Sequence, residues 1–186
     1  GLSGGYVLNL AAELPQIRAV MAQVPFVDGA ETAKQYPLHA LPKALKSSSQ
    51  DYMGGKVGLA AKCLPVVDAH QFSVLNGTAH YQGYLSIVHP DYYWSGHIPA
   101  RALWQVIRYR PISQVAAIRC PVLLIAAAED ALIPIHSTRE CAQHISSEVH
   151  YHEWNMGHFD IYHAPYLHQA IQTQIAFLDQ YIGVSS

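Results

Sequence analysis

The sequence predicts an α/β fold built around a parallel sheet, and three observations lead to this fold class. Near-continuous apolar runs of strand length occupy 17–26 and 120–130, and such runs are typical of parallel strands buried on both faces. Helical patterns alternate with these strands along the chain. Asp130 and His158 each stand just after a predicted strand, where the ligands of parallel sheets bind.

Each core element can be placed from its own pattern. The predicted elements are, in chain order, a helix at 4–14 that stops before Pro15, a strand at 17–26, a strand at 120–130, a helix at 135–145, a strand at 149–154 and a helix at 165–182. The last helix is predicted to be amphipathic, with one apolar face formed by Leu167, Ile171, Ile175, Leu178 and Ile182.

The middle of the chain lacks this alternation. It contains short helical patterns, many aromatic residues and scattered Pro and Gly, so we interpret 29–112 as an inserted, mostly helical cap. The predicted organisation is one domain in which 1–28 carries the first turn, helix and core strand, and 113–186 forms the rest of the α/β core.

Composition restricts the class of protein. Of the 186 residues 51% are hydrophobic and 13% charged, which suits a globular core. The net charge of −2, without a basic run, gives no reason to expect nucleic acid or a membrane as partner. Three widely spaced cysteines form neither a disulfide framework nor a metal pattern. We expect a cytoplasmic protein with no metal and no cofactor.

The pentapeptide GLSGG at 1–5 has the pattern of a sharp turn that exposes a nucleophilic serine, Ser3. Small residues allow the tight turn, and the helix after it directs backbone N–H groups toward a developing oxyanion. We expect the N–H of Gly4 to be one such donor. A Gly-rich turn without catalytic function is the alternative.

A serine hydroxyl needs a base to accept its proton and an acid to orient the base. Asp130 ends the strand at 120–130, and His158 lies in the loop after the strand at 149–154. The chain order Ser3, Asp130, His158 therefore predicts a catalytic triad in which His158 is the base. Asp28, at the end of the strand at 17–26, is the alternative acid.

With these motifs in place, the sequence resembles the α/β-hydrolase superfamily. The resemblance rests on GLSGG, on EDALIP at 129–134 and on NMGHFD at 155–160. The segments VMAQVPFVDG at 20–29 and IPARALWQVIRYRPI at 98–112 are similar to a microbial branch that includes esterases, polyketide-transferase-like proteins and peptidase-S15-like proteins. The resemblance implies a serine hydrolase acting through an acyl-serine intermediate.

The resemblance also implies strands that the chain does not contain. The superfamily's sheet usually has eight strands with the serine turn after the fifth, whereas this sequence supplies counterparts of the last three only. We expect the 186 residues to be the C-terminal portion of a longer hydrolase, to need the missing N-terminal half or a partner chain to complete the sheet, and to be catalytically impaired alone. Formation of a homo-oligomer is left open.

For several other side chains the sequence supports two interpretations each. Tyr92, Tyr93 and Trp94 line an acyl pocket or simply pack the cap. Three arginines bind an acidic substrate or form ion pairs: Arg101, Arg108 and Arg110. His150 and His152 alternate on one strand face, but no third metal ligand has suitable spacing, so a structural role is favoured.

The predicted activity is hydrolysis of an ester or thioester of a small to medium apolar acyl group, given the aromatic cap. Acyl transfer or peptidase action with the same triad is the alternative enzyme. A non-catalytic binding module derived from a hydrolase is the alternative of a different class.

Overall fold

The computed structural model of the protein describes residues 1–89, 91 and 93–183. These residues form five strands and seven α-helices. The strands are β1 (Val20–Gln23), β2 (Cys63–Pro65), β3 (His97–Pro99), β4 (Val122–Ala127) and β5 (Val149–Trp154). The helices are α1 (Leu2–Glu13), α2 (Gly29–Lys34), α3 (Leu41–Lys56), α4 (Thr78–Leu85), α5 (Ala102–Arg108), α6 (Ile135–His144) and α7 (Tyr166–Tyr181). The chain divides into two compact units: unit 1 contains 1–32 and the residues from 109 onward, and unit 2 contains 33–108.

Unit 1 is built on a three-stranded parallel sheet in the order β1-β4-β5. Val122 of β4 lies opposite both Val20 of β1 and Val149 of β5. All six residues of β4 are buried, as expected for a central parallel strand. The predicted α/β fold class with a parallel sheet is confirmed.

The first strand is shorter than the predicted 17–26. Its pairing with β4 ends at Gln23 because Val24 adopts a φ of 40°, a left-handed conformation that is strained for a β-branched residue. Pro25 follows and has no N–H to donate. The kink redirects the chain, and Phe26 N–H donates to the carbonyl of Gly1 at 3.0 Å.

Helices cover both faces of this sheet. On one face α1 and α6 contribute Leu8, Ala11 and Cys141 to a buried cluster with alternate residues of β1 and β4. On the other face α7 contributes Ala170 and Phe177, which pack with the remaining β4 residues. The sheet is thus the middle layer of three.

The predicted apolar face of α7 is not the face that the described core covers. Ala170 and Phe177 are buried, whereas Leu167, Ile171, Ile175 and Ile182 are exposed. The apolar periodicity correctly predicted the helix.

Unit 2 contains α3, α4, α5 and a small antiparallel sheet of β2 and β3. The buried carboxylate of Asp51 on α3 links this helix to the segments that flank β2 and β3. Asp51 accepts hydrogen bonds from Lys62 N–H at 2.7 Å, from Arg101 N–H at 2.8 Å and from Arg101 Nε at 2.9 Å. One α3 carboxylate therefore fixes the residues next to both strands.

The chain leaves and re-enters unit 1 through adjacent segments. Gly29 N–H donates to the carbonyl of Tyr109 at 2.9 Å, and Ile112 N–H donates to the carbonyl of Val27 at 3.0 Å. All four bonded residues belong to unit 1, so both ends of the predicted 29–112 insertion lie in unit 1. Unit 2 covers only residues 33–108 of that insertion. The interpretation of this region as a cap stays a prediction.

Candidate active site

The side chains of Asp130 and His158 meet at the carboxyl ends of β4 and β5. These strands are parallel neighbours, so the loops that follow them lie at the same edge of the sheet. His158 Nδ1 lies 2.7 Å from Asp130 Oδ2, and only 11% of the His158 side chain and 3% of the Asp130 side chain are exposed. Because a carboxylate only accepts, Nδ1 carries the proton, and Nε2 of the neutral ring is the basic nitrogen.

The carboxylate of Asp130 is held by its own loop. Its second oxygen, Oδ1, accepts hydrogen bonds from the N–H groups of Leu132 and Ile133, both at 2.8 Å. Glu129 N–H donates to the carbonyl of Met156 at 3.0 Å and so joins the acid loop to the histidine loop. The orientation of the carboxylate toward His158 is therefore fixed from two sides.

The loop that carries His158 has further anchors. Gly157 N–H donates to Asp160 Oδ2 at 2.8 Å, and Tyr166 Oη donates to the carbonyl of Asn155 at 2.6 Å. Sequence reasoning missed Tyr166. A tyrosine near the start of a helix gives no signal of this kind, because its partner is a backbone carbonyl in another element.

Ser3 is the second residue of α1, whose N-cap residue is Gly1, and Ser3 is exposed. A Cβ atom placed on Gly1 would lie 3.5 Å from His158 Nε2. The basic nitrogen of the histidine therefore faces the turn that carries Ser3. Within the described residues Ser3 Oγ makes no hydrogen bond. Of the three predicted triad members, Asp130 and His158 are hydrogen-bonded to each other, and Ser3 lies on the turn that His158 Nε2 faces.

Close packing explains the glycines after Ser3. A Cβ atom on Gly4 would lie 2.8 Å from Pro25 Cα, and one on Gly5 would collide with the carbonyl oxygen of Phe26. The start of α1 can therefore approach the end of β1 only with glycine at both positions.

The N–H of Gly4, predicted to be an oxyanion donor, has an acceptor in this structure. It donates to the carbonyl of Gly1 at 3.0 Å. The role of Gly4 N–H as an oxyanion donor stays a prediction.

The alternative acid, Asp28, has other partners. Its buried carboxylate accepts hydrogen bonds from Arg110 Nε and Nη2, at 2.8 to 3.1 Å, and from the N–H groups of Ala30 and Glu31 at the start of α2. Burial acts to raise the pKa of Asp28, but the hydrogen bonds and charge of Arg110, together with the N–H groups of Glu31 and Ala30, outweigh it and hold the pKa below its ordinary value. The structure joins Asp28 to Arg110, and His158 to Asp130.

The predicted pocket aromatics all belong to 33–108. Tyr92 lies outside the described residues. Tyr93 is 97% exposed, and Trp94 stacks on Tyr84 with ring centroids 5.0 Å apart. Neither Tyr93 nor Trp94 is thereby shown to line a pocket.

Three of the remaining candidates have structural partners. Arg101 pairs with Asp51, as Arg110 does with Asp28, and His150 Nε2 lies 2.6 Å from Tyr181 Oη. No group of three His, Cys, Asp or Glu side chains among the described residues could hold a metal ion. Over the same residues, no helix has the length and apolar character needed to cross a membrane.

The sheet order, the helices on both faces and the loops after β4 and β5 are consistent with the α/β-hydrolase fold. Solved structures confirm it. The α/β hydrolase GrgF from Penicillium sp. sh18 aligns with 96% of this chain at a TM-score of 0.72 and 17% identity, over 61% of its own length. The monoacylglycerol lipase of Paleococcus ferrophilus aligns with 94% of this chain at a TM-score of 0.61 and 15% identity, over 64% of its length. The chain has an α/β-hydrolase fold, and the resemblance predicted from the sequence is confirmed.

Among curated proteins, the quorum-quenching protein AidA of Acinetobacter baumannii (strain MDR-ZJ06) is 28% identical over 185 residues. The alignment covers 97% of this chain and 60% of AidA. The chain thus spans less than two thirds of the length of each of these three proteins. No family model matches it.

Proposed function

We propose that the protein is a serine hydrolase that cleaves an ester or thioester of a small to medium apolar acyl group. One observation carries the proposal: the Asp130–His158 hydrogen bond leaves the basic Nε2 directed at the turn of Ser3. The fold shared with GrgF and with a monoacylglycerol lipase supports hydrolysis, as does the similarity to AidA. The choice of an apolar acyl group rests on the aromatic composition of residues 81–104.

In the proposed reaction His158 Nε2 accepts the hydroxyl proton of Ser3 while Ser3 Oγ attacks the acyl carbonyl carbon. The tetrahedral intermediate collapses as His158 gives that proton to the leaving alcohol or thiol, and an acyl-serine remains. His158 then deprotonates water, which attacks the acyl group and releases the carboxylic acid as Ser3 regains its proton. Asp130 keeps the proton on Nδ1 and stabilises the imidazolium that forms in both steps.

Two features support slow turnover by the 186-residue chain. Ser3 Oγ is not hydrogen-bonded to His158, and Gly4 N–H is engaged by Gly1. Loss of one oxyanion donor lowers kcat by about 10²–10³-fold. We therefore propose a Ser3-dependent activity that is measurable but low.

The experiment compares the wild-type chain with Ser3→Ala in two assays, hydrolysis of p-nitrophenyl butyrate and labelling by a fluorophosphonate probe. Ser146→Ala is the matched control, because Ser146 is also an exposed serine of unit 1. We expect Ser3→Ala to lose both signals and Ser146→Ala to keep both. Equal signals from all three proteins would overturn the proposal and favour a binding module.

A third arm adds a competing alcohol such as butanol. A hydrolase yields mainly butyric acid, whereas an acyltransferase yields mainly butyl butyrate at the same rate of p-nitrophenol release. Butyl butyrate as the main product would replace hydrolysis by acyl transfer with the same residues.

A further inference from the structure

A cleft of about 270 Å³ lies at the edge of the unit 1 sheet opposite the candidate active site. Its walls come from the C-terminal end of α1, from the segment before β1 and from the segment before β4. The two strands are parallel, so both segments lie at the amino ends of the strands. Asp130 and His158 follow the carboxyl ends of β4 and β5, and the cleft is therefore separate from them.

Two exposed arginines belong to the lining of this cleft, Arg18 before β1 and Arg119 before β4. Val20 N–H donates to the carbonyl of Pro121 at 3.0 Å, so the two segments run side by side. In the part of the chain that the structure describes, neither arginine makes a hydrogen bond or an ion pair. Two positive charges on adjacent segments, without a carboxylate partner, favour an anionic ligand.

The negative charge near the cleft is smaller than this positive charge. Cys120 is buried, and burial raises the pKa of its thiol, so this lining residue is neutral at neutral pH. The C-terminal end of α1 carries only about half a negative charge. Glu13, the last residue of α1, is not among the described lining residues. Even with Glu13 counted, the balance at the cleft is positive.

The walls beside the arginines are largely apolar and include Leu14, Ile17 and Pro121. Leu14 is 37% exposed, so its side chain is open to a ligand. Guanidinium groups bind a carboxylate through paired hydrogen bonds, and apolar walls bind a hydrocarbon tail. The volume lies just below the range of about 300–1,000 Å³ that is usual for small-molecule sites, which indicates a small ligand.

We propose that this cleft is a binding site for a small apolar carboxylate. The carboxylate group lies between Arg18 and Arg119, and the hydrocarbon tail lies against Leu14, Ile17 and Pro121. The hydrolysis proposed above would release an acid of the same chemical class, but binding in the cleft does not depend on Ser3.

The probe is octanoate, titrated into the 186-residue chain and measured by isothermal titration calorimetry. Acetate, which lacks the tail, and 1-octanol, which lacks the charge, are the comparison ligands. We expect octanoate to bind at least about tenfold more tightly than either, because two buried methylene groups or one charge-assisted hydrogen bond contribute about this factor. In NMR spectra, amide shifts should change at 11–18 and 119–121 and stay constant at 155–160.

Two variants separate the charge of the cleft from its apolar wall. Arg18→Gln/Arg119→Gln should weaken octanoate binding by at least about tenfold. Leu14→Ser should weaken octanoate binding and leave acetate binding unchanged. The matched control for the double variant is Lys46→Gln/Lys56→Gln, which removes two charges from exposed positions of α3 in unit 2. We expect the control to bind octanoate like the wild type, with circular dichroism confirming that every variant is folded.

Four results would overturn the proposal. The first is no saturable octanoate binding, and the second is octanoate that binds no more tightly than acetate or 1-octanol. The third is shift changes confined to 155–160, which would place the carboxylate at the candidate active site. The fourth is equal weakening by both double variants, which would indicate unspecific attraction to positive charge. Binding is measured without turnover, so these outcomes are independent of the Ser3 assays.

Discussion

Replacement of Gly4 by alanine tests how closely the first turn of α1 packs against Pro25. The added methyl group would lie 2.8 Å from Pro25 Cα and 2.9 Å from Pro25 Cβ. Carbon atoms in ordinary contact are about 3.5–4.0 Å apart, so the helix and the 24–26 segment must separate by about 1 Å.

The 24–26 segment cannot move freely. Val24 N–H is bonded to the carbonyl of Ile125 at 2.7 Å, and Phe26 N–H is bonded to that of Gly1 at 3.0 Å. Overpacking at such sites costs about 1–3 kcal/mol. We expect Gly4→Ala to lower the free energy of unfolding by this amount and to move Ser3 away from His158.

Urea unfolding followed by circular dichroism measures the change. Gly54→Ala in α3 is the control, because its methyl group would lie 3.5 Å from Leu59 Cβ, an ordinary contact. We expect this control to be neutral or to stabilise by up to about 1 kcal/mol, since alanine favours helix more than glycine does. A Gly4→Ala protein within about 0.5 kcal/mol of the wild type would refute the reasoning.

Two further predictions concern charged groups. Asp130→Asn should keep the fold but lower Ser3-dependent ester hydrolysis by about 10³–10⁴-fold, because the amide no longer holds the proton on His158 Nδ1; steady-state assays with circular dichroism as a folding control test this. Hydrogen bonds from Arg139 and Tyr151 lower the pKa of Glu153 to about 2, so its stabilising contribution is present above the ordinary value of 4.5 and is lost as pH falls toward 2. As pH falls through this range, the urea midpoint of Glu153→Gln should decrease less steeply than that of the wild type. Parallel curves for the two proteins would contradict the assignment of this contribution to Glu153.

The sequence predicted those parts of the fold that depend on local patterns. The strand at 149–154 and the helix at 135–145 were placed to within a residue, because apolar runs and periodicity are local properties. The strand at 17–26 was overextended, because the Val24 kink is set by tertiary contacts with β4 and Gly1.

The site was predictable in part for the same reason. The proximity of Asp130 and His158 could be predicted, because neighbouring parallel strands end at the same edge of the sheet. The engagement of Gly4 N–H by Gly1 could not be predicted, since it depends on how the first turn of α1 closes. The exposure of Leu167, Ile171, Ile175 and Ile182 could not be predicted, because periodicity shows that a helix has an apolar face but does not show what covers it.

The paired backbone hydrogen bonds between 27–29 and 109–112 have a consequence for how the molecule can be altered. They bring the two chain segments that flank unit 2 side by side, within hydrogen-bonding distance. A linker of a few residues could therefore replace everything between them without stretching the connection from β1 to β4. Residues 33–108 could thus be exchanged for another segment while Asp130 and His158, which both belong to unit 1, stay where they are.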